Sequence, residues 1–218
     1  MARYSEPVLV LGLGRFGLAL TSELIRGGTE VLAIDRDETH VQRLSVIIPN
    51  VVVADSTDIE ALKQLGVREF TRAVVAMGGS QEASILTTSL LSDLGIKQIW
   101  AKALNEQHAR ILSRVGAHHV IQPEMDMGER VAHLVGGRML DYMEVDDDWV
   151  MVMAKPPQFL VGISLGESRL RATHRVTVVA YRPENAANFR HTDASTVLTY
   201  GDDILVMGTP TDVEAFVE

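Results

Sequence analysis

The 218-residue sequence contains no cysteine, few aromatic residues and no long apolar run. Without cysteine there are no disulfide bonds and no thiolate metal site, which fits a reducing cytoplasm. A membrane-spanning helix needs a run of about 18 apolar residues, and the chain has none. The start, MARYSEP, also lacks the apolar core of a signal peptide. We therefore expect a soluble, cytoplasmic protein.

Positive charge is also scarce. Lysine and arginine together number 20 against 29 acidic residues, which gives a formal net charge of −9. General affinity for DNA or RNA requires a basic surface, so this balance argues against nucleic-acid binding. Hydrophobic residues make up 46% of the chain. The length and composition suit one large domain, or a medium domain followed by a small one.

The first motif is a glycine-rich loop between a strand and a helix. Val8–Leu11 is a short apolar strand, and Gly12, Gly14 and Gly17 then fit the pattern G-x-G-x-x-G before a helix over Phe16–Arg26. The first glycine permits the tight turn, the second lets a pyrophosphate approach the backbone, and the third lets the helix and strand pack closely. Phosphates would bind the free N–H groups at the start of the helix.

An acidic residue completes this motif. The next strand, Val31–Ile34, is followed by Asp35, about 20 residues beyond the loop, where a carboxylate can accept hydrogen bonds from a ribose diol. Arg36 follows directly and could stack on adenine, hold a 2′-phosphate or face solvent. Strand, glycines, helix, strand and acid in this order predict nucleotide binding, and the alternative is a degenerate fold with an empty site.

Short strands and helices continue to alternate as far as residue 122, which predicts a doubly wound parallel sheet of the Rossmann type. Polar residues follow two of its strands, where ligands of open α/β sheets bind. Asp55 and Ser56 follow the third strand, and Met77 and Gly78 end the fourth. For Ser56, as for Ser80, helix capping is the alternative role.

Near residue 124 the pattern changes to a loop, a helix to about Leu140 and an acidic joint. Three β segments follow, with a short helix around Leu165–Leu170, a polar loop and a final helix after Pro210. We therefore predict a nucleotide-binding domain over 1–140 and a small α+β domain over 141–218.

A catalytic constellation is missing from the second predicted domain. The histidines at 108, 118, 119 and 133 lack the spacing of a zinc site, and there is no G-x-S-x-G motif. A dehydrogenase would need a general acid or base and a substrate anchor. A domain that binds a nucleotide without chemistry is most naturally a sensor, which shifts between two conformations.

Several segments together resemble the RCK (KTN) family, which joins a TrkA-N domain to a TrkA-C domain. The motifs in the first part are GLGRFG, AIDRD, VVVADSTD, VVAMGGSQEASILTT, IWAKALNEQHARIL and GAHHVIQPEMDMGERVA. In the second part, LVGISLGESRLR and YGDDILVMG are similar to the TrkA-C pattern. The resemblance covers essentially the whole chain.

The resemblance implies a cytosolic, non-enzymatic regulatory subunit of a bacterial Ktr/Trk-type potassium transporter. It implies a homo-oligomer, from a dimer to an octameric ring, docked on the inner face of a membrane-embedded potassium-transporting subunit of the KtrB/TrkH type. ATP and ADP would compete for the Rossmann site and gate ion flow. The alternatives are an NAD(H)-binding regulator of another ion channel or antiporter, and an NAD(P)-dependent oxidoreductase.

The resemblance also assigns roles to individual residues. Arg15, beside Phe16 in the glycine loop, would reach phosphates, since its guanidinium can engage two oxygens; the alternative is a solvated loop cation. Lys102 would line the pocket. Glu124 would help to bind a cation, Mg²⁺ or Na⁺, between subunits, or would simply favour the start of a helix. Some relatives bind cyclic di-AMP between C-terminal domains, and the approximate counterparts here are Val161, Ile163 and Arg171.

Overall fold

The computed structural model describes residues 6–136, 139–146 and 148–217. It divides into two compact units between Glu124 and Met125. In the described part of the chain, no helix is both long and apolar enough to cross a membrane.

The first unit is a six-stranded parallel sheet in the order β3-β2-β1-β4-β5-β6. Its elements are β1 (Val8–Leu11), α1 (Arg15–Arg26), β2 (Val31–Asp35), α2 (Glu38–Leu44), β3 (Val51–Val53), α3 (Ile59–Gln64), a 3₁₀ turn (Val67–Glu69), β4 (Arg72–Val75), α4 (Gln81–Asp93), β5 (Gln98–Lys102), α5 (Glu106–Arg114) and β6 (His119–Ile121). This order confirms the predicted Rossmann-type fold.

The central strand β1 shows why this sheet needs helices on both faces. All four of its residues are buried. Leu9 and Leu11 belong to the hydrophobic core on one face, whereas Val8 and Val10 belong to the core on the other. Successive side chains of a strand point to opposite faces, so a continuous apolar run is the pattern of a strand buried on both sides. Strands β2 and β3 lie on one side of β1 and the last three strands on the other, so the strand order reverses between β1 and β4. The ends of these two strands border the candidate site.

The second unit is an antiparallel five-stranded sheet in the order β10-β9-β11-β8-β7. Its elements are β7 (Met139–Asp146), β8 (Trp149–Ala154), a 3₁₀ turn (Gln158–Leu160), α7 (Leu165–Ser168), α8 (Leu170–Thr173), β9 (Thr177–Arg182), β10 (Arg190–His191), β11 (Asp203–Gly208) and α9 (Pro210–Val217). One face carries the core, which includes Val152, Ile204 and Phe216. The predicted α+β fold class of the second domain is thus confirmed.

Two strands of this unit were not predicted. The acidic joint is strand β7, and the polar loop contains the two-residue strand β10. Carboxylates interrupt the apolar residues of β7, and irregular pairing with β8 breaks the two-residue alternation, so that Met139 and Tyr142, three positions apart, both pack on the core. The preceding helix also ends at Val135 and does not reach Leu140.

The division of the chain lies earlier than the predicted boundary at 140. Helix α6 (Pro123–Val135) explains the difference, because its later turns pack on the second unit. Arg130 forms an ion pair with Asp141 at 2.6 Å, and the ring of His133 stacks on Tyr142 with the centroids 4.1 Å apart.

Candidate nucleotide-binding site

The glycine loop joins β1 to α1 with little space to spare. Gly12 has a φ of +94°, in the left-handed region that favours glycine. A Cβ on Gly17 would lie 2.0 Å from the carbonyl oxygen of Gly12, so only glycine fits there. A Cβ on Gly14, in contrast, would meet nothing within 4 Å. The loop is therefore tightly packed behind Gly12 and open at Gly14.

Gly14 is the N-cap of α1, and no side chain caps this helix. Helices α2, α3, α4 and α5 each begin with a capping side chain, from Asp37, Asp58, Ser80 and Asn105 respectively. The first N–H groups of a helix need an external partner, and the positive end of the helix dipole favours an anion. The start of α1 can therefore take a phosphate group.

Asp35 lies at the end of β2 and contacts the loop directly. Its Oδ2 accepts a hydrogen bond from the backbone N–H of Leu13 at 2.6 Å, and its Oδ1 accepts one from the N–H of Asp37 at 3.0 Å. A carboxylate has about four acceptor positions, so one remains on each oxygen for a ribose hydroxyl. Asp35 thus holds the glycine loop, and its role toward a ribose stays a prediction.

A cavity of about 380 Å³ opens at the carboxyl ends of the strands. This volume lies within the usual range for small-ligand pockets. The lining residues are Gly12, Gly14, Ile34, Asp35, Arg36, Ala54, Asp55, Ser56, Thr57, Ala76, Met77, Gly78, Gly79, Ser80, Glu82, Ala83 and Leu86. The loop, the acid and both predicted polar strand ends therefore border one space.

The two polar residues after β3 have different environments. Asp55 accepts hydrogen bonds from the hydroxyl of Thr57 at 2.7 Å and from its N–H at 2.9 Å. These bonds, together with the nearby charge of Arg36, hold the pKa of the Asp55 carboxyl below its usual range. Ser56 is buried and shares a hydrogen bond with Thr87 at 3.0 Å. Ser56 therefore ties the strand end to α4, while Asp55 stays ionised at the rim.

Lys102 and Glu124 lie beside the cavity, at the end of β5 and the start of α6. The Lys102 ammonium donates a hydrogen bond to the Glu124 carboxylate and lies 5.8 Å from the centre of the Phe16 ring. The hydrogen bond from Lys102 is the main cause that lowers the pKa of Glu124, and the positive charge of Arg15 contributes as well. Arg15, Phe16, Lys102 and Glu124 therefore form one cluster.

The structure thus separates the predicted site residues, except Gly17, into two groups. Eight of them line the cavity: Gly12, Gly14, Asp35, Arg36, Asp55, Ser56, Met77 and Gly78. Gly17 supports the loop from inside the unit, and the others belong to the Lys102 cluster. Gly78 connects the groups, since a Cβ built on it would lie 3.5 Å from the Lys102 Nζ.

Sequence reasoning missed Glu82 and Leu86 as lining residues. Glu82 and Leu86 are four residues apart on α4, so they lie on the same face of that helix. Leu86 is 48% exposed and supplies an apolar surface at the rim. The helical spacing after Ser80 was the signal that could have identified both.

The second unit contains another cavity, of about 530 Å³, with Arg169, Arg171 and Asp193 among its lining residues. The Nε of Arg171 donates a hydrogen bond to Thr177 at 3.1 Å. Val161 and Ile163, the other approximate counterparts of a cyclic di-AMP site, are not among the lining residues of this cavity.

Residues 6–136, 139–146 and 148–217 contain no cluster of three or more His, Asp or Glu side chains arranged to hold a metal ion. A cation at Glu124 would draw its further oxygen ligands from backbone carbonyls, water or a second copy of the chain, and it would compete with Lys102 for the carboxylate.

The fold and site define an α/β domain with a glycine-rich loop at the start of its first helix, followed by a small α+β domain. Residues 8–123 match the TrkA-N domain family, and residues 149–218 match the TrkA-C domain family. The chain belongs to the family that joins these two domains, as the motifs implied.

Individual relatives agree with this assignment. The chain is 38% identical over 208 residues to Ktr system potassium uptake protein C of Bacillus subtilis, covering 95% of this chain and 94% of the relative. It is 34% identical over 213 residues to Ktr system potassium uptake protein A of the same organism, covering 97% and 96%. Among solved structures, the GsuK channel bound to NAD has a similar fold, with a TM-score of 0.54 and 22% identity. That similarity covers 99% of this chain but only 38% of the channel chain.

Proposed function

We propose that this protein is a cytosolic regulatory subunit that senses ATP and ADP and gates a membrane potassium transporter. The observation that carries the proposal is the uncapped start of α1, which opens beside the cavity that Asp35 borders. The N–H groups of α1 bind the phosphates, Asp35 binds the ribose, and the apolar surface of Leu86 and Met77 packs against adenine. The role in potassium uptake is inferred from the two Ktr system potassium uptake proteins that the chain matches over nearly their whole length.

The charges around the cavity allow ATP and ADP to act differently. Asp35, Asp55 and Glu82 line the cavity with Arg36 as the single lining cation among the described residues. Arg15 and Lys102 lie in the neighbouring cluster, where Glu124 already pairs with Lys102. A terminal phosphate that reaches Arg15 would compete with Glu124 for positive charge. The γ-phosphate of ATP can therefore alter this cluster in a way that ADP does not.

The proposal includes an assembly of several copies of this chain. A homo-oligomeric ring, up to an octamer, docks on a membrane-embedded potassium-transporting subunit of the KtrB/TrkH type and changes shape between its ATP and ADP forms. A second copy would also supply the further oxygen ligands for Mg²⁺ or Na⁺ at Glu124. Cyclic di-AMP at the cavity beside Arg171 would be an additional signal.

Calorimetry on the purified full-length protein tests ligand choice. We expect ATP and ADP to bind more tightly than NADH. Gly14→Ala and Asp35→Ala should each weaken the binding of ATP and of ADP at least tenfold. Gln42→Ala is the matched control, because Gln42 is exposed on α2 and is not a lining residue of the cavity. Tight and exclusive NADPH binding, or hydride transfer to a substrate, would overturn the proposal.

A further inference from the structure

The peptide groups on both sides of Leu13 are held by two residues from outside the glycine loop. The N–H of Leu13 donates to the Asp35 carboxylate at 2.6 Å, and the carbonyl oxygen of Leu13 lies 2.8 Å from Nε2 of His40. The Leu13 side chain is fully buried in the hydrophobic core. The loop is thus fixed at one residue by its donor, its acceptor and its side chain.

The contacts of His40 determine which of its ring nitrogens carries the proton. A carbonyl oxygen can only accept, so Nε2 carries the hydrogen in the bond to Leu13. Nδ1 lies 3.4 Å from Nη2 of Arg43, a group that can only donate, so Nδ1 carries the lone pair. Arg43 thereby orients the ring toward the loop.

The planarity of the peptide bond links this contact to the phosphate site. In a trans peptide the C=O and N–H groups point in opposite directions, and the described chain contains no cis peptide bond. The carbonyl of Leu13 points to His40 on α2, so the N–H of Gly14 points away from α2. Gly14 lines the cavity and is the N-cap of α1.

We infer that His40 is a positioning residue that directs the Gly14 N–H toward the bound phosphates. Its role is indirect, since His40 is not among the lining residues of the cavity. Without the Nε2–H donor, the Leu13–Gly14 peptide can rotate and the Gly14 N–H loses its fixed direction. Preorganised backbone donors bind anions better than donors that must reorient. This inference rests on the proposed nucleotide site.

Two variants of similar size separate the hydrogen bond from simple packing. His40→Gln keeps an N–H donor on a flexible side chain, whereas His40→Met has the same length and no donor. Gln42→Met is the control for a methionine on α2, since Gln42 is exposed and its side chain bonds to Glu38. The affinities of the full-length protein for ATP, ADP and adenosine are measured for each variant.

The decisive quantity is the ratio of ATP affinity to adenosine affinity within one variant. Partial unfolding lowers both affinities equally and leaves the ratio unchanged. We expect His40→Met to lower this ratio about tenfold, and His40→Gln to restore most of it. Gln42→Met should give the wild-type ratio.

Two results would overturn the inference while the proposed function stands. One is an unchanged ratio in His40→Met, and the other is an equally lowered ratio in His40→Gln and His40→Met. A wild-type protein that binds none of the three ligands would overturn the proposed function, and the inference with it.

Discussion

The buried ammonium of Lys102 is paired with the exposed carboxylate of Glu124, with side chains that are 8% and 63% exposed. The two partners therefore respond differently to substitution. Removing Glu124 leaves a positive charge in a dry environment, whereas removing Lys102 leaves a carboxylate that water can solvate.

We expect Glu124→Gln to lower the free energy of unfolding by about 1 kcal/mol, because the exposure of Glu124 reduces the penalty of a broken buried pair. Lys102→Met should cost less. Urea denaturation of both single variants and of the double variant provides the measurement. A larger loss in Lys102→Met than in Glu124→Gln would show that packing of the lysine stem, and not charge, dominates.

The glycine loop predicts losses of stability of very different size for two alanine substitutions. Gly17→Ala would place a Cβ 2.0 Å from the Gly12 carbonyl oxygen, so we expect a loss of about 3 kcal/mol or failure to fold. Gly14→Ala meets no neighbour, and its unfolding free energy should fall by less than about 1 kcal/mol, although it weakens nucleotide binding. Thermal unfolding of both variants without ligand tests this order. Equal stabilities would contradict the described packing of α1 on the loop.

His108 predicts a specific dependence of stability on pH. Burial lowers the pKa of His108, and its Nδ1 accepts a hydrogen bond from the N–H of Leu104 at 3.3 Å. Its Nε2 is also buried and has no hydrogen-bond partner among the described residues. Below the ordinary histidine pKa of about 6.5, the unfolded chain binds a proton more readily than the folded protein. This contribution to stability is therefore complete above that pH and is lost as the pH falls.

We expect the free energy of unfolding to drop less between pH 7.5 and 5.5 in His108→Gln than in the wild type, as measured by urea denaturation at each pH. His191→Gln is the control, because His191 is an exposed histidine on β10, and its pH dependence should match the wild type. If His108→Gln and the wild type lose the same stability on acidification, another group causes the effect.

Arg15 is the residue at which ATP and ADP are expected to differ. A charge-assisted hydrogen bond to a γ-phosphate contributes roughly 1.5–3 kcal/mol, which corresponds to a tenfold to hundredfold bias between two states. Arg15→Ala should therefore reduce the effect of ATP on potassium uptake much more than it reduces ADP binding. Lysine at this position keeps the charge but loses the fork of two donors, so it should restore only part of the effect. An equal loss of affinity for both nucleotides, with an unchanged ratio of ATP to ADP activity, would make Arg15 an ordinary loop cation.

The sequence was sufficient to predict those site residues whose position follows both from a local motif and from the order of strands in the fold. Gly12 and Gly17 were predictable because a tight turn and a close helix-to-strand approach each exclude a Cβ. Asp35 was predictable because parallel strands end at one edge of the sheet, which brings the acid at the end of β2 beside the loop after β1. The same rule predicted that Asp55 and Gly78 border the cavity.

The contacts that remained unpredicted join residues that are far apart in the sequence and have common alternative roles. His40 and Leu13 are 27 positions apart, and a histidine on a short helix has no pattern that reveals its partner. Lys102 and Glu124 were each assigned to a ligand, whereas the structure pairs them with one another. Strand β7 was missed because its pairing with β8 is a tertiary contact, and the acids along it matched the composition of a loop.

Potassium flux tests the central claim most directly. The full-length protein is reconstituted in vesicles with a Ktr-type membrane subunit, and flux is measured with saturating ATP and then with saturating ADP. We predict that flux differs severalfold between the two nucleotides, and that Asp35→Ala abolishes the difference at the same nucleotide concentrations. Equal flux with ATP, with ADP and without nucleotide, from a complex that still assembles, would contradict the account.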